Sequence, residues 1–138
     1  MSEEKFVIFV FNIGASDLAI ETDASERLRK ILNVKDEIYY NGTNREYKYI
    51  HQKVFKKITQ LMNDKFEDIA RDEELFSKIF LPIIDPIFKR EEISPEKTYV
   101  ILFGTDQSPH FPTDTYYVAE FIRRFIEQKY GLTRDNIQ

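Results

Sequence analysis

Two short segments gather small polar residues of the kind that bind ligands. Residues 12–17 read NIGASD and residues 104–115 read GTDQSPHFPTDT. The first offers Asn12, Gly14, Ala15, Ser16 and Asp17. The second offers Gly104, Thr105, Asp106, Gln107, His110, Thr113, Asp114 and Thr115. Hydroxyls, carboxamides and carboxylates of this kind hydrogen-bond phosphate oxygens, sugar hydroxyls and base edges. Gly14 and Gly104 let a ligand approach the main chain closely. His110, between two prolines in a polar loop, is a candidate ligand contact. His51 opens a helical pattern and reads as an ordinary surface residue.

The chemistry that is missing narrows the class. There is no Walker-type glycine loop and no GxGxxG, so the usual nucleoside triphosphate and dinucleotide sites lack support. Ser16 follows Gly14, but no glycine stands two residues after it, so there is no GxSxG elbow. The chain has no cysteine and only two histidines. That removes disulfides, thiolate metal sites and cysteine nucleophiles. No catalytic residue, metal site or cofactor is assigned.

These loops need elements to hold them. Residues 5–11, KFVIFVF, and 98–104, TYVILFG, are apolar runs of the kind found in parallel strands buried on both faces. Each runs into one of the polar segments. In open α/β sheets, ligands bind at the carboxyl ends of the strands. If the two strands are parallel neighbours, the loops face one another across a crevice. The remaining pattern is largely helical. A short helix is expected over 24–32. Val54, Ile58, Leu61, Met62, Phe66 and Ile69 mark a helix from about His51. A second apolar series runs from Leu75 to Phe88, with a break near Leu81 forced by Pro82 and Pro86. Val118, Phe121, Ile122, Phe125, Ile126 and Tyr130 mark a last helix, capped by Thr113 or Asp114 and stopped at Gly131. Asn41-Gly42 suggests a hairpin within 36–50. Residues 132–138 look like the approach to a further strand. The class is α/β, in one domain over 1–138, with a sheet left incomplete at the C-terminus or completed by strands hidden in 18–50 or by a partner.

With 138 residues, 42% hydrophobic and 32% charged, the chain suits a globular domain with a real core. Its net charge is −4, with Lys and Arg scattered among Asp and Glu. Direct DNA binding is therefore not expected. An anionic ligand would be held locally, by N–H groups and a few side chains. The acidic start is unlike a secretory signal and no apolar run spans a bilayer, so a cytoplasmic protein with no membrane partner is expected.

At GTDQSPHFPTDT the chain resembles the CARF family, the CRISPR-associated Rossmann-like sensor domains. The matching residues are Gly104 to Gln107, Asp114-Thr115, and the Lys129-Tyr130-Gly131 turn that ends the following helix. Gly14 to Asp17 resembles the family's first ligand loop, and residues 75–89 resemble a helix that precedes its ligand-loop strand. The resemblance covers the first strand and the last third of the chain. It implies a Rossmann-like, mostly parallel sheet with flanking helices. It also implies a homodimer with a two-fold axis through the ligand site, and a fused or separate effector. The implied ligand is a cyclic oligoadenylate, with cyclic tetra-adenylate the expected ring, made in type III CRISPR antiviral signalling. A symmetric ring suits a pocket built from two copies of the same loops. Phe111 and Tyr116 join His110 as candidates to pack against a base.

Two other readings remain open. Some family members cleave the ring. An aligned 2′-hydroxyl needs no metal for that, and Ser16, Thr105 and His110 would be the groups involved. The other is an unrelated Rossmann-like domain whose turns bind a different small molecule, since fold does not fix function.

Overall fold

The computed structural model describes residues 6–14, 17–34, 47–49, 55–104 and 115–138. The fold is mixed α/β. Strand β1 (Val7–Asn12) leads to β2 (Ala19–Glu21) and helix α1 (Ser25–Leu32). After β3 (Tyr47–Lys48) come α2 (Phe55–Asp64), α3 (Phe66–Arg71), α4 (Glu73–Ser77), β4 (Ile79–Phe80) and α5 (Ile84–Glu91). The chain closes with β5 (Thr98–Phe103) and α6 (Tyr116–Tyr130).

The two apolar runs are parallel neighbours, as a shared crevice requires. Val7 lies opposite Thr98 and Asn12 opposite Phe103, with every rung between them in register. The far edge of β5 carries the start of a further strand. Ile137 bridges Val100 in parallel, Gln138 N–H donates to the Val100 carbonyl at 2.8 Å, and Leu102 N–H donates to the Gln138 carbonyl at 2.6 Å. The expected approach of residues 132–138 to a strand is therefore observed. Strands do lie within 18–50, but they do not extend this sheet. β2 pairs antiparallel with β3 on one side and β4 on the other, a separate small sheet. The Asn41-Gly42 turn lies outside the described residues.

Alternation decides which face of the parallel sheet is covered. Phe9 and Phe11 point inward, and both rings meet Phe88 of α5, at 5.2 and 6.1 Å. Val100 is fully buried. The expected burial on both faces is not what forms. Phe6, Ile8, Val10, Tyr99 and Phe103 stay exposed. An apolar run fixes a strand, but it does not place a cover on each side of it, and α5 and α6 lie on one side only.

The helices follow their stripes. Val118, Phe121, Ile122, Phe125 and Ile126 are all buried, the spacing of one helix face. Phe66 meets Phe121 at 5.4 Å and Phe76 meets Phe125 at 4.8 Å. α6 ends at Gly131, where φ is +73°, a left-handed conformation that glycine adopts without strain. The break near Leu81 is present, but with a two-residue strand, β4, before it. The helix expected from His51 to Ile69 turns at Lys65 into two pieces. One connected set of buried apolar residues, from Ile13 to Ile137, forms the core.

Candidate functional site

The register of β1 and β5 brings the residues from which the two loops depart to one end of one sheet. Just beyond the strands, Ile13 N–H donates to the Phe103 carbonyl at 2.8 Å. Gly14 and Gly104 are each the last described residue before their loops continue. Asn12, Gly14 and Gly104 thus stand side by side. Thr115 joins them from the other end of the second loop. A methyl group built on the Gly104 α-carbon would lie 2.9 Å from the Thr115 carbonyl oxygen. Thr115 holds the N-cap position of α6, where Thr113 or Asp114 was expected. Ala15, Ser16, Thr105, Asp106, Gln107, His110, Thr113 and Asp114 lie outside the described residues, as does His51.

Asp17 braces the first loop. It is 4% exposed, and its carboxylate accepts the Gly14 N–H at 2.6 Å. The chain returns here as well, with Asp17 N–H donating to the Gly14 carbonyl at 3.1 Å. The Gly14 amide is therefore committed to Asp17 and is not free to hold an anion. Burial raises the Asp17 carboxyl above its ordinary value, and the Gly14 hydrogen bond offsets only part of that.

The first loop has neighbours that motif reading did not select. The Tyr49 hydroxyl pKa is pushed up to about 12. The largest cause is its pairing with the Tyr47 hydroxyl, 3.5 Å away, followed by partial burial, and the charge of Asp17 is the smallest of its causes. Tyr47 also meets Phe80 edge-on at 5.2 Å across β2. The period-two spacing of Tyr47 and Tyr49 was visible, but their partner was not.

Around the second loop, α2 positions the start of α6. The Asn63 side-chain amide donates to the Tyr117 carbonyl at 2.6 Å and to the Thr59 carbonyl at 2.9 Å. Arg124 returns the contact, donating to the Asn63 carbonyl at 2.7 Å with its guanidinium 4.4 Å above the Phe66 ring. Beside Gly104 a crevice of about 250 Å³ opens between Leu102, Tyr116, Ala119, Glu120, Arg123 and Gln138. Tyr116 stands exposed at its rim. Arg123 is held on its own helix by Glu120 at 3.0 Å and Glu127 at 3.5 Å.

The arrangement suits binding: a strand-end platform, a close main-chain approach at Gly104, an exposed aromatic ring, and the first turn of a fifteen-residue helix. Among the described residues, no cluster of three or more His, Cys, Asp or Glu could hold a metal. No helix among them is long and apolar enough to cross a membrane. Compared with known proteins, the chain matches no family model, no curated protein and no solved structure.

Proposed function

We propose that the chain is a ligand-sensing domain that binds a cyclic oligoadenylate at the shared carboxyl end of β1 and β5, with two copies enclosing one ring. One observation carries the reading. The two polar segments leave parallel strands that are hydrogen-bonded neighbours in register, which is where α/β sheets take ligands. The ligand is taken from the CARF-like residues, and the parallel pairing of β1 with β5 supports a site at the strand ends. In this reading Asn12 and the 104–107 segment meet phosphates and base edges. Tyr116 offers a ring for stacking, and the start of α6 adds favourable partial charge for an anion. Asp17 shapes the first loop from beneath.

Calorimetric titration with cyclic tetra-adenylate and cyclic hexa-adenylate, against a linear oligoadenylate control, tests this directly. One ring bound per two chains and recovered intact is the expected result. Recovery of linear product would make the chain a ring nuclease. No heat with either ring would overturn the proposal.

A further inference from the structure

Between the small sheet and the start of α5 lies a groove of about 590 Å³. That size falls within the roughly 300–1,000 Å³ of small-molecule sites, which are mostly apolar with a few placed polar groups. None of its residues lines the crevice beside Gly104. Two aromatic rings line it, Tyr47 of β3 and Phe80 of β4, which meet edge-on at 5.2 Å. Tyr49 also holds the Tyr47 ring, at 5.4 Å, so this lining is fixed before any ligand arrives. Pro82 and Pro86 line the groove as well. Pro86 falls in the first turn of α5, where a missing N–H breaks no helix hydrogen bond. Proline has almost no side-chain freedom to lose when a ligand packs on it.

Two charged groups border the groove, Asp85 and Lys89, one turn apart on α5. They are not equivalent. The Asp85 carboxylate accepts from the Tyr130 hydroxyl and from Leu81 N–H at 2.7 Å, and pairs with Lys129 at 3.2 Å. The Lys89 ammonium is exposed and pairs with no described residue. The charge left over in the groove is therefore positive, on a chain whose net charge is −4.

We propose that this groove binds a small aromatic carboxylate, with its ring among Tyr47, Phe80, Pro82 and Pro86 and its anionic group on Lys89. Aromatic and proline rings are flat and take a flat ring closely. The apolar stem of Lys89 adds to the lining while its ammonium stays at the rim. A charge-assisted contact there fixes the orientation of the ligand and selects against neutral molecules of the same shape.

NMR titration of the whole chain with naphthoate, and with the neutral naphthamide of the same shape, tests the proposal. Saturable shifts at Tyr47, Phe80 and Lys89 are expected with naphthoate, at a Kd on the order of 1 mM or tighter. Naphthamide should bind at least about 10-fold more weakly. Lys89→Met keeps the stem, loses the charge and should abolish that difference. Tyr47→Ser should weaken both ligands; if that variant fails to fold, Lys89→Met alone decides. No saturable shift with naphthoate overturns the proposal, as do shifts confined to other residues, or equal binding of acid and amide by the wild-type chain. Groove signals that move with protein concentration alone would assign the groove to a second copy and overturn it too. Titration with cyclic oligoadenylates reads a different site, so the two proposals fail independently.

Discussion

The α-carbon of Gly104 backs onto the main chain of Thr115. A methyl group there would lie 2.9 Å from the Thr115 oxygen and 3.1 Å from the Ala119 Cβ. The nearest obstacle is helix backbone, which cannot rotate away. Gly104→Ala must therefore push α6 off the strand end. A loss of roughly 1–3 kcal/mol is expected, measured by urea unfolding, together with weaker ring binding by calorimetry. An unchanged unfolding midpoint would show that the approach is looser than the distances require.

Asp17 gives a pH signature with a definite sign. Its pKa is raised in the folded state from an ordinary 3.8, so the folded chain holds the proton more tightly than the unfolded chain. Stability should fall as pH rises from that ordinary value through the raised folded one, and the deficit should persist at neutral pH. Asp17→Asn keeps an acceptor for the Gly14 N–H and removes the buried charge. It should flatten this part of the profile. At pH 7 it should be at least as stable as the parent chain, by up to about 1 kcal/mol. Melting temperatures recorded from pH 3 to 7 check both statements.

The side chain of Asn63 is a test of how α6 is held. Asn63→Ala removes donors to the Tyr117 and Thr59 carbonyls and should cost about 1–2 kcal/mol. Hydrogen exchange should accelerate first at the start of α6, beside Gly104. Equal acceleration along the whole helix would mean that Asn63 stabilises the core and not the helix start.

Tyr130 and Asp85 latch α6 to α5. The phenol donates to one carboxylate oxygen, while Leu81 N–H at 2.7 Å and Lys129 at 3.2 Å take the other. Burial, then the bond to Asp85, raises the Tyr130 pKa above its ordinary 10.0. The latch should be fully in force below that value and weaken as pH rises through it towards the folded one. Tyr130→Phe should lose roughly 1–2 kcal/mol at neutral pH. It should also lose this share of the alkaline sensitivity, as alkaline melts would record.

Local signals were legible in the sequence and pairwise geometry was not. The stripe of α6, its Gly131 stop and the break ahead of Pro82 follow from periodicity and backbone chemistry. β2 and β4 did not show, because three and two residues are too short for alternation to register. Their state is set by pairing with each other. The exposed face of β1 was unreadable for a related reason. VIFVFN is equally apolar on both sides, so nothing in it tells a covered face from a bare one. At the site, the Gly14–Asp17 bond is a contact across three positions and was visible as turn chemistry. Tyr49 and Asn63 reach the same region from distant stretches of chain, and no local pattern announces them.

The pairing of β1 with β5 also bears on timing. Every rung joins residues about ninety positions apart, and closing so long a loop is entropically slow compared with forming the helices between. The two halves of the candidate pocket stay strangers until that late step. On the proposed function, a chain emerging from the ribosome would gain its ligand site only once β5 has been made and docked. Ligand present during refolding should leave the helix-forming phases untouched and act only after the strands meet, slowing unfolding rather than hastening collapse.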